Sequence, residues 1–145
     1  MKKLISIILS VLMILSSFSI MSLVSAKETN VVSSGDTYSG TTGDCTWSYD
    51  ENTETLTISG NGKMGDYNDN NSAPWYLYKD LIKEVIIENG VTSIGDENFK
   101  YCSNLKNITI SKSVYRIGEL SFFWCQSLKN IILPNSVTSI EVGAF

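Results

Sequence analysis

The sequence predicts a mainly β protein, a short right-handed solenoid of α/β type with parallel strands and an N-terminal β-hairpin as its cap. Three observations predict it. First, the second half of the chain repeats itself at a constant offset: Val91-Thr-Ser-Ile94-Gly95 returns as Val114-Tyr-Arg-Ile117-Gly118 and as Val137-Thr-Ser-Ile140-Glu141, giving a period of 23 residues. Second, Phe99, Cys102, Leu105 and Ile108 recur at that offset as Phe122, Cys125, Leu128 and Ile131, and Phe145 follows Phe122. A unit this small cannot bury its own apolar face, so it gains a core only by lying on its neighbours. Third, two alternating apolar segments joined by turn formers stand just before the repeats.

The first 26 residues stand apart from the fold. Lys2 and Lys3 precede an apolar run from Leu4 to about Val24, and Val24-Ser25-Ala26 offers small residues at a cleavage position. Residues 1–26 therefore read as a secretory signal peptide, with an uncleaved membrane anchor as the competing reading. Removing them leaves 119 of the 145 residues, and the basic count falls from 11 to 9 against 15 acidic residues, a net charge of −6. An acidic chain without a basic stripe argues against nucleic acid and anionic lipid as partners. Residues 27–43, rich in Ser, Thr and Gly, read as a flexible leader.

Residues 44–72 form the capping unit of this reading. Cys45-Thr-Trp47-Ser-Tyr49 and Thr55-Leu56-Thr57-Ile58 alternate apolar with polar, Asp50-Glu51-Asn52-Thr53 supplies the turn, and Gly60-Asn61-Gly62 ends the hairpin. An open solenoid end exposes apolar core and unpaired strand edges. Trp47, Tyr49, Leu56, Ile58 and Met64 would cover it. Asp66 to Ser72 is a polar loop, and Pro74 suits the start of a short helical turn over Trp75 to Lys83.

Residues 73–145 carry the repeats, the first copy degenerate and starting near Trp75. Each unit divides into a strand and a return, with the strands predicted over Lys83–Glu88, Lys106–Ser111 and Lys129–Pro134. Val85, Ile87, Ile108, Ile110, Ile131 and Leu133 point inward. Glu84, Ile86, Glu88, Asn107, Thr109, Asn130 and Ile132 point outward. Phe145 falls before any counterpart of Cys125 and Leu128, which predicts an array that continues beyond it.

The recurring set Leu105, Ile108, Ile110, Val114, Ile117, Gly118, Phe122 and Cys125, then Leu128, Ile131, Leu133, Pro134 and Val137, resembles the BspA-like leucine-rich repeat of bacterial secreted and surface proteins. Ser111 stands where Pro134 sits one unit later, and Glu141 where Gly95 and Gly118 sit. The resemblance implies a non-catalytic, secreted or cell-surface module for protein–protein interaction and adhesion. Its protein ligand would lie on a host, microbial or matrix surface. It also allows this chain to be the scaffold part of a larger surface protein.

Chemistry is sparse. With no histidine, the nucleophilic triads and the commonest zinc sets are absent. No catalytic, cofactor-binding or metal-binding residue is assigned. Asp66-x-Asn68-x-Asn70 begins like a calcium loop but fails, since Asn71 takes the glycine position and Leu77 that of the bidentate glutamate. Cys102 and Cys125 recur at equivalent positions, so their Cβ atoms should lie about one strand spacing, ~4.8 Å, apart. That exceeds the ~3.8 Å a disulfide prefers, so buried free thiols are expected. Cys45 has no evident partner.

Two surfaces qualify for binding. One is the outward strand face already named. The other is a set of aromatics expected to be exposed, Tyr67, Trp75, Tyr76, Tyr78, Tyr101, Phe123 and Trp124, in which Tyr101 and Trp124 share a position one unit apart. Tyrosine and tryptophan dominate interface hot spots. The alternative function is carbohydrate or cell-wall binding, with sugar rings stacked on Trp75 or Trp124.

Overall fold

The computed structural model describes residues 35–145. The expected signal peptide and residues 27–34 of the expected leader lie outside them. Among the described residues no helix is long and apolar enough to cross a membrane.

The described residues build two sheets. The strands are β1 (Thr37–Thr42), β2 (Cys45–Asp50), β3 (Thr55–Gly60), β4 (Gly62–Lys63), β5 (Glu84–Ile87), β6 (Val91–Ile94), β7 (Asn107–Ile110), β8 (Arg116–Ile117) and β9 (Ser139–Ile140), with one 3-10 turn at Tyr76–Tyr78. The first sheet runs β1-β2-β3-β5-β7 and the second β4-β6-β8-β9. The β1-β2-β3 part is antiparallel, whereas β3-β5-β7 and the whole second sheet are parallel. The chain is therefore mainly β, with parallel sheets. In the paired strands Glu84 lies opposite Asn107, Ser93 opposite Arg116 and Arg116 opposite Ser139.

The hairpin forms because its alternation suits a sheet with one face buried. Trp47, Tyr49, Leu56 and Ile58 are buried while Thr46, Ser48 and Thr57 are not. The hairpin extends the sheet of the repeats, since β3 pairs directly with β5. It also has a third member. Strand β1 falls inside the segment expected to be a flexible leader. Tyr38 explains why it is held, because its ring stacks on Tyr78 at 4.7 Å and Tyr78 stacks on Tyr49 at 5.0 Å.

The expected strand over Lys129–Pro134 is not formed. Ile131 and Leu133 still rest on the core as half-buried side chains. This segment lies past β7, the last strand of its sheet, and Pro134 has no N–H to donate. Alternation alone does not make a strand where no ladder forms. The strands predicted over Lys83–Glu88 and Lys106–Ser111 appear one residue shorter at each end, a normal spread for element boundaries. The turn after Pro74 is present.

The buried faces of both sheets feed one apolar cluster, including Val85, Ile87, Val91, Ile94, Val114 and Ile117, with Val137 half-buried against it. Through it runs a column of aromatic rings. Trp75 stacks on Phe99 at 5.7 Å, Phe99 on Phe122 at 5.3 Å and Phe122 on Phe145 at 5.4 Å, with interplanar angles of 22°, 19° and 5°. Trp75 Nε1 also donates to the Asn98 carbonyl at 2.8 Å, so its one polar atom is satisfied in the core.

Two glycines set how closely neighbouring segments of the chain approach. Gly90, in the turn between β5 and β6, has φ +102°. A Cβ there would sit 2.3 Å from the Gly60 carbonyl oxygen. At Gly118 the backbone is ordinary, but a Cβ would lie 2.5 Å from the carbonyl carbon of Gly95 and 2.6 Å from the Asp96 nitrogen.

Cys45, Cys102 and Cys125 are free thiols. Burial raises the pKa of each, and carries that of Cys125 up to about 12. Cys125 Sγ donates to the Phe99 carbonyl at 3.1 Å.

Candidate interaction surface

The outward strand face is set by register. Because Val85 and Ile87 must face the core, Glu84 and Ile86 are turned away from it, and pairing carries this across the sheet. One row reads Ser39, Ser48, Thr57, Ile86, Thr109 from β1 to β7. The next reads Thr37, Asp50, Thr55, Glu84, Asn107. The face is thus a regular array of hydroxyl and amide groups with few charges. The repeat pattern pointed only to its β5 and β7 columns. The β1 to β3 columns carry no repeat motif, although Thr46 and Ser48 between Cys45, Trp47 and Tyr49 signal the same alternation.

Asn107 and Thr109 are exposed, and Glu84 and Ile86 are half-exposed. Glu88, just past β5, is exposed, as are Asn130 and Ile132 on the non-strand segment. An open cleft of about 690 Å³ brings together Ile86, Glu88 and Thr109. Another, of about 490 Å³, brings together Asn107, Thr109, Asn130 and Ile132. Glu84 lines neither.

The aromatic set divides. Trp75 is fully buried, which removes it as a platform for a sugar ring: its indole is the first ring of the core column. Tyr67 is half-buried, its hydroxyl donating to Thr42 Oγ1 at 2.9 Å. Tyr78 is held between Tyr38 and Tyr49, and Phe123 is half-buried against Tyr101. Tyr76, Tyr101 and Trp124 are exposed, at 39%, 38% and 58%. Tyr101 and Trp124 both adopt positive φ, +64° and +61°. That region is costly for a bulky side chain.

Charged groups pair off at the other turns. Arg116 reaches Asp96 at 2.7 Å, Glu141 at 3.4 Å and Asp66 at 3.6 Å. Asp66 Oδ1 accepts the N–H of Asp96 and Asp96 Oδ1 that of Glu119, both at 2.9 Å. The calcium-like loop is closed on itself, since Asn68 Oδ1 accepts from the N–H groups of Asn70 and Asn71. Among the described residues no group of three or more His, Cys, Asp or Glu side chains is placed to hold a metal.

Comparison with known proteins bears on this surface. Residues 74–145 match the family described as BspA type leucine rich repeat region (6 copies). No curated protein matches the chain. A crystal structure of a leucine-rich repeat protein from Eubacterium ventriosum is similar to it, with a TM-score of 0.65 and 31% sequence identity. That alignment covers 73% of this chain and 28% of the other, so the chain spans less than a third of that protein's length.

Proposed function

Because residues 74–145 belong to the BspA-type leucine-rich repeat family, we propose that this chain is an exported, non-catalytic module for protein interaction and adhesion. Its repeats form a right-handed solenoid with a 23-residue period. The partner is a protein on a host, microbial or matrix surface, held by the outward strand face. The observation that carries this reading is the pair of rows running in register across five strands, with open clefts along β5 and β7. Such a surface presents side chains that can vary without disturbing the core. It suits a macromolecule with a broad footprint better than a small substrate, which needs an enclosing pocket. Export is supported by the basic start, apolar run and small residues before Lys27.

The test is surface plasmon resonance of the secreted chain against a panel of matrix proteins and whole bacterial cells. Binding should weaken at least tenfold in the double variant Ile86→Arg, Thr109→Arg, whose melting temperature stays near that of the parent. No binding above that of an unrelated acidic protein would overturn the proposal, as would binding indifferent to the double variant. N-terminal sequencing of exported material should begin at Lys27. Turnover in a screen of hydrolase substrates would refute the non-catalytic assignment.

A further inference from the structure

The polar loop 66–72 folds back on the turn that carries Glu97 to Tyr101, and a notch of about 50 Å³ lies between them. Its lining includes Asp69, Ser72, Tyr76, Glu97, Lys100 and Tyr101. The site is built before any ligand arrives. Lys100 Nζ donates to Asp69 Oδ1 at 2.8 Å and to Glu97 Oε2 at 2.9 Å, and its side chain is only 10% exposed. The same ammonium lies 5.3 Å from the centroid of the Tyr101 ring. Tyr76 and Tyr101 each stay more than a third exposed at the rim.

Charge decides what such a notch can accept. An anion would meet two carboxylates against one ammonium. A cation, metal or organic, would find its place between those carboxylates already taken by Lys100. A wholly apolar molecule would strip water from three charged groups without replacing its hydrogen bonds. What remains is a neutral ligand with both donors and acceptors and a flat apolar face. The ammonium has three N–H donors, two of them used, and each carboxylate accepts Lys100 through only one of its oxygens. A buried water needs roughly 10–15 Å³ of such space, so the notch holds an exocyclic hydroxymethyl or acetamido group and not a whole ring. The ring would lie outside, its C–H face against Tyr76 or Tyr101, whose side chains offer apolar body and polar tip together.

We propose that this notch binds a pyranose unit of a neutral glycan. The platform is formed by Tyr76 and Tyr101, not by Trp75 or Trp124, and it is independent of the protein-binding strand face.

The test is isothermal titration of the full secreted chain with hexaoses of N-acetylglucosamine, glucose, mannose and xylose, with heparin as the anionic comparison. At least one neutral hexaose should bind. Tyr101→Gly should weaken it tenfold or more while leaving the melting temperature equal or higher, a combination that a merely structural tyrosine would not produce. Lys100→Met should weaken it similarly, which keeps the question answerable if the glycine variant alters the local turn. Ile86→Arg should leave it unchanged. Failure of every neutral hexaose to bind would overturn the proposal, as would preference for heparin, or affinity that survives both notch variants and is lost in Trp124→Ala.

Discussion

The aromatic column makes the sharpest prediction about stability. Phe99 is fully buried between Trp75 at 5.7 Å and Phe122 at 5.3 Å. Phe99→Ala removes a whole buried ring, a change that typically costs about 3–5 kcal/mol. Part of that is the two stacked pairs, each worth about 0.5–1.5 kcal/mol beyond area burial. Phe145 is 54% exposed and has a single stacked neighbour at 5.4 Å. Only about half of its transfer free energy is at stake, so Phe145→Ala should cost about 1–1.5 kcal/mol. A domain of this size has roughly 5–15 kcal/mol in all, so the first variant sits near the edge of folding and the second does not. The assay is urea denaturation followed by tryptophan fluorescence and far-UV circular dichroism. With m near 1.5 kcal/mol/M, the Phe99→Ala midpoint should fall by about 2–3 M. A lower m is also expected, since stacked units uncouple when the contact between them is cut. If Phe99→Ala cost no more than Phe145→Ala, the column would not be what joins neighbouring repeats.

Gly118→Ala should destabilise by about 1–3 kcal/mol, because the new methyl meets the backbone of Gly95 and Asp96, and an unchanged melting temperature would refute that close approach. Arg116→Ala leaves Asp66, Asp96 and Glu141 without their shared cation. It should cost about 1 kcal/mol at low ionic strength, and added salt should recover part of the loss in thermal melts. The Cys125 thiol should resist iodoacetamide at pH 8 in the native chain and react once unfolded, as mass spectrometry would show. Its pKa rises on folding from 9.0 to about 12, so the folded state holds the proton that the unfolded state releases. Stability should therefore be undiminished below pH 9 and fall between pH 9 and 12, by up to about 1.4 kcal/mol per pH unit. Cys125→Ala should make that slope shallower.

Several parts of the fold were legible because they depend on local alternation. The hairpin of β2 and β3, the strands β5 and β7 and the turn after Pro74 are each written in a few neighbouring residues. The free state of Cys102 and Cys125 followed from the direction of equivalent side chains. The candidate surface was half legible. Asn107, Thr109, Asn130 and Ile132 share a cleft, but the Ser and Thr columns of β1 to β3 that complete the face belong to no repeat. The notch around Lys100 could not be read, since its walls come from residues 69 and 100, which only folding brings within 2.8 Å.

The chain's own pattern determined which residues are equivalent and which way each points from its backbone. Periodicity is a local property, and the chain carries it without knowing its surroundings. Tertiary structure decided what stands opposite. Tyr38 became a strand residue because Tyr78 offered a ring to stack on, and Trp75 was drawn inside because Phe99 lay beside it. Ile131 and Leu133, patterned like Ile108 and Ile110, found no ladder to join. Burial and pairing are properties of two surfaces, and a sequence describes only one of them at a time.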